Sequence, residues 1–61
     1  METIKQVLMR RDDMTDVEAQ HQIDEARAQM TYYLESGDID SAYDICAEFF
    51  SLESDYLDEL L

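Results

Sequence analysis

Three carboxylates stand four residues apart: Asp40, Asp44 and Glu48. On a helix this spacing puts them in one row on one side. A carboxylate row is the raw material of a hard-cation site or of an acid–base pair. The Asp-Gly loop of a calcium motif is absent from the chain. Like charges at this spacing cost a helix roughly 0.2–0.5 kcal/mol per pair. The row therefore reads either as a solvated face opposite a buried one or as a surface that meets a basic protein.

Two other side chains have reactive chemistry. His21 is the sole histidine and shows no nucleophile or evident carboxylate partner, so it reads as an exposed helix residue rather than a general base. Cys46 is the sole cysteine. It has no neighbouring histidine to activate it and reads as a small buried hydrophobe. With one cysteine and one histidine, no internal disulfide and no zinc set can form. Neither a cofactor nor a metal is expected, and no enzyme: a convergent set of nucleophile, base and oxyanion donors is missing.

Residues 15–37 must position these groups. Thr15 and Glu18 have the spacing of a capping box, Asp16 adds negative charge to the first turn, and Met14 can staple onto Ala19. Ala19, Ile23, Ala26, Met30, Tyr33 and Leu34 form the apolar stripe of a helix that ends at Gly37. Val17, His21, Ala28 and Tyr32 line a second, weakly apolar side. Tyrosine is favoured at interfaces, so this side reads as a partner or subunit contact, against scattered surface residues.

The remaining elements are shorter. Residues 2–11 read as a helix with Ile4, Val7, Leu8 and Arg11 on one side. Asp38 caps a further helix at 39–50, with Ile39, Ala42, Tyr43, Cys46, Phe49 and Phe50 on its apolar face. Ser54 caps a last helix at 55–61, whose apolar positions are Tyr56, Leu57, Leu60 and Leu61. The ending also spells LxxLL, a pattern of helices that dock into grooves, although any amphipathic tail can contain it.

Sixty-one residues make one small domain, 1–61, with a marginal core. The hydrophobic share of 46% separates it from a disordered acidic tail despite a net charge of −12. The charge is unevenly spread: residues 1–11 carry +2, while residues 12–61 carry fifteen acids against Arg27 alone, a balance of −14. Such a surface repels nucleic acid and anionic membrane and attracts basic partners. No apolar run is long enough to span a bilayer, and the first residues lack a secretory signal pattern, so a cytoplasmic location is expected.

Residues 4–19, IKQVLMRRDDMTDVEA, and residues 33–61, YLESGDIDSAYDICAEFFSLESDYLDELL, cover about three-quarters of the chain. They resemble a group of small acidic proteins of phages, prophages and mobile elements. Those sequences read RRDGMSxxEA followed by LExGDxxxAxxIxxxxFGLEPDYLxxLL. This chain departs from the pattern at Asp13 and Ser51, where glycine is expected, and at Ser54, where proline is expected. The resemblance implies an origin in bacteria or their phages. The group has no assigned activity, so no functional residue carries over.

The sequence thus predicts an all-α bundle of three to four helices, built on a hairpin of 16–36 and 39–50 with short helices at both ends. Excess exposed apolar surface predicts a homodimer. The expected function is that of a non-enzymatic interaction protein that binds a basic host or phage protein, possible contacts being Asp40, Asp44, Glu48, Val17, His21 and Tyr32. A DNA-mimic role fits that charge. The alternative is a purely structural, self-associating helical module.

Overall fold

A computed structural model describes residues 2–61. Over these residues the chain is all-α, with four α-helices, α1 (Ile4–Arg11), α2 (Asp16–Glu35), α3 (Ile39–Tyr43) and α4 (Ile45–Phe50), and a closing 3-10 helix, Ser54–Glu59. The expected small bundle built on a helical hairpin is the observed architecture.

Helix α2 is the axis. Its twenty residues are about 30 Å long, close to the 34 Å long dimension of the molecule. The capping box is formed: Glu18 N–H donates to Thr15 Oγ1 at 3.2 Å, and Thr15 N–H donates to the Glu18 carboxylate at 2.9 Å. Helices α1, α3 and α4 pack along it, and the 3-10 helix packs on α4. Ala19 and Ala26 are fully buried; their small side chains let the neighbours come close.

Helix α1 starts later than expected, because Thr3 and Gln6 form a second capping box. It packs on its own chain with Ile4, Val7 and Leu8 buried. Arg11, expected beside them, is exposed and instead grips Asp12 with two hydrogen bonds of 2.9 and 2.8 Å.

The expected helix at 39–50 is broken at Asp44. The Asp44 N–H is shared between the carbonyls of Asp40 and Ser41, both at 3.2 Å. The buried side differs accordingly. Ile45, absent from the expected stripe, is fully buried, while Ile39 and Tyr43 are 47% and 62% exposed. Ala42, Cys46 and Phe50 are buried as expected.

The last element is a 3-10 helix, not the α-helix expected at 55–61, and Ser54 is its first residue rather than its cap. Residues three apart eclipse one another in this geometry. That sets Leu57 and Leu60 on one side, and both are buried. The LxxLL ending is therefore spent mainly on the protein's own core.

Three helices end on a residue in the left-handed region: Asp13 (φ 55°), Gly37 (φ 78°) and Ser51 (φ 56°). After α2 the chain closes as a Schellman turn, with Asp38 N–H on the Tyr33 carbonyl at 2.8 Å and Gly37 N–H on the Leu34 carbonyl at 3.2 Å. No polar or charged residue is buried among the described residues.

Candidate interaction surface

The acidic row is solvated: Asp40, Asp44 and Glu48 are all exposed. Backbone bonds carry it across the break, from Asp44 N–H to the Asp40 carbonyl and from Glu48 N–H to the Asp44 carbonyl. No group of three or more potential ligands is placed to hold a metal among the described residues.

The cations are all used, and they lie in the N-terminal half. Lys5 meets Asp16 at 3.2 Å, Arg10 forks onto Glu2, Arg11 onto Asp12, and Arg27 approaches Asp24 at 3.7 Å. The guanidinium forks hold the Glu2 and Asp12 carboxyls below their ordinary range. From Glu35 to Glu59 nine acids follow without one basic residue. None of them has a cation within ion-pair distance among the described residues.

His21 does have a carboxylate neighbour, which the sequence reading did not identify: its Nδ1 lies 3.6 Å from Glu25 on the next turn. That is longer than a hydrogen bond, and both side chains are exposed. Cys46 is buried and free; burial, with a smaller contribution from Glu59, pushes its thiol up.

Val17 and His21 come together in a shallow depression of about 530 Å³, with Met14, Gln22 and Phe49. Val17 is 78% exposed there. Tyr32 does not line it; its ring is tilted against Tyr33 at 5.9 Å.

A second concavity was missed by the sequence reading. It is a groove of about 300 Å³ between the end of α2, α3 and the C-terminal tail. Met30, Ala42 and Leu57 form its buried floor; Leu34, Ile39, Tyr43 and Leu61 form exposed walls. Sequence periodicity assigns these four to the core. The position of Leu34, Ile39 and Tyr43 at helix ends was the available signal.

Compared with protein-family models, curated proteins and solved structures, the chain matches none. Among the described residues no helix is long and apolar enough to cross a membrane.

Proposed function

We propose that this chain is a non-enzymatic acidic interaction protein of phage or prophage type. It acts in the bacterial cytoplasm and binds a basic protein by presenting the charge pattern of a nucleic acid. One observation supports this most: the four Lys and Arg residues are all paired within residues 2–27, which leaves nine acids from Glu35 onward with no cation at ion-pair distance among the described residues. A folded scaffold with one uncompensated sign raises encounter rates with the opposite sign.

The test is a panel of purified basic DNA-binding proteins, with duplex DNA as competitor. Binding is expected to weaken with salt and with added duplex. It should be lost in the triple variant Asp40→Lys, Asp44→Lys, Glu48→Lys, with helicity unchanged by circular dichroism. A folded protein that binds no member of the panel would rule the reading out.

Self-association is the second reading, favoured by Val17 and Tyr32 standing 78% and 62% exposed on α2. Light scattering over a dilution series separates the two: a stable dimer of the 7.2 kDa chain, indifferent to the triple variant, favours the structural module.

A further inference from the structure

We infer that the groove between the end of α2, α3 and the C-terminal tail seats the apolar side of a cationic amphipathic helix from a partner protein. The inference rests on the proposed function and specifies how the partner is held.

Among the described residues seven large hydrophobic side chains are exposed, and four of them, Leu34, Ile39, Tyr43 and Leu61, converge on this one concavity. Scattered apolar residues need no explanation, but convergence on a groove marks an interaction site. About 300 Å³ is the lower end of the range for ligand sites, and the open walls suit a few anchoring side chains rather than an enclosed cofactor. Helices that dock into grooves supply such anchors at i, i+3 or i+4, and i+7.

Charge selects the occupant. Asp58 lines the groove, and Asp40 and Asp44 directly follow the wall residues Ile39 and Tyr43 in sequence. The wall segments contain no basic residue. A second copy of this chain is a poor match. It brings a charge of −12, and in its one basic helix, α1, Ile4, Val7 and Leu8 are already buried in its own core, which leaves Met9 as the single exposed anchor there. An anionic lipid surface is repelled for the same reason. A cationic helix meets both demands, anchors for the groove and positive charge for its surroundings.

The experiment uses the full chain and three labelled peptides of about 18 residues, five helical turns. One carries a leucine stripe on a lysine background, one has the same composition scrambled, and one has the leucine stripe on glutamate. Fluorescence anisotropy reads affinity, methyl NMR reads the location, and light scattering reads the mass. The striped lysine peptide should bind at least about tenfold tighter than the scrambled one. It should shift the methyls of Leu34, Ile39 and Leu61 and lose about tenfold against the folded double variant Tyr43→Ser, Leu61→Ser.

Equal binding of the scrambled peptide would overturn the groove while leaving the acidic-surface reading standing. Equal binding of the glutamate peptide would overturn the choice of a cationic partner. Shifts at Met14 and Val17 instead would move the site to the other depression. A dimer that dissociates on Leu61→Ser would make a second copy the occupant. No binding by any peptide would overturn the inference and remove the support it draws from charge.

Discussion

The carboxylate of Glu59 accepts the backbone N–H of Ile4 at 3.0 Å, joining the last helical element to the first helical residue of the chain. Ile4 is fully buried, and its N–H is one of the donors that α1 leaves without an intrahelical partner. A carboxylate there also meets the positive end of the helix. The Glu59 carbonyl, in turn, accepts from the Arg27 guanidinium at 3.1 Å. One residue thus ties the 3-10 helix to both α1 and α2. Glu59→Ala leaves the Ile4 donor unpaired and is expected to cost about 1 kcal/mol, or roughly 4–8 °C in melting temperature for a domain of this size. Glu59→Gln keeps an acceptor and should cost less. Thermal melts by circular dichroism check both; an alanine variant as stable as the parent would deny the clasp any energetic role.

The left-handed helix ends give the second prediction. A left-handed residue with a Cβ is strained by roughly 1–2 kcal/mol, less for Asp than for most residues. Ser51→Gly should therefore stabilise the chain more than Asp13→Gly, each by less than the full strain, because glycine also loosens the unfolded chain. Gly37→Ala should destabilise by about 1 kcal/mol through φ alone, since an added Cβ would meet nothing within 4 Å. Urea titrations of the three variants measure the order.

The third prediction separates two neighbouring residues that periodicity ranks the wrong way round. Ile45→Ala removes a fully buried side chain and should cost about 2–5 kcal/mol. Tyr43→Ala removes one that is 62% exposed and should change stability by within about 0.5 kcal/mol. Equal costs in chemical denaturation would mean an unbroken stripe through Asp44.

That contrast marks how far the fold was legible. The capping box at Thr15, the stop at Gly37 and the stripe Ala19, Ile23, Ala26, Met30 are local signals, and the structure follows them. The break at Asp44 is not local: with it Ala42, Ile45, Cys46 and Phe50 all lie in the core, while Ile39 and Tyr43 stay exposed. Nor is the 3-10 form of the tail, which brings Leu57 and Leu60 to one side of a short acidic segment. The groove draws on both segments, which supply the exposed walls Ile39, Tyr43 and Leu61, while Leu34 comes from α2. The charge asymmetry was legible outright, since it requires no geometry. The pairing of each base inside the N-terminal half was not.

Acid sensitivity is the fourth prediction, and its sign follows from the cap of α2. The Glu18 carboxyl lies below its ordinary value of 4.5, chiefly because it accepts the Thr15 backbone N–H, with the Thr15 side chain adding to the effect and burial opposing it. A carboxyl lowered in the folded state favours folding fully above its unfolded value. That contribution fades as pH falls through the folded value, so the loss begins below about pH 4.5. A net charge of −12 makes self-repulsion part of any single melt. A comparison cancels that shared background. Glu18→Gln keeps an acceptor for Thr15 but does not titrate. Between about pH 6 and pH 3 the parent should lose more melting temperature than the variant, the difference opening only in the acid limb. The Arg10–Glu2 and Arg11–Asp12 forks remain in both proteins, so the variant should still lose part of its stability. Parallel curves across the whole range would show that the cap contributes nothing specific to the charged form.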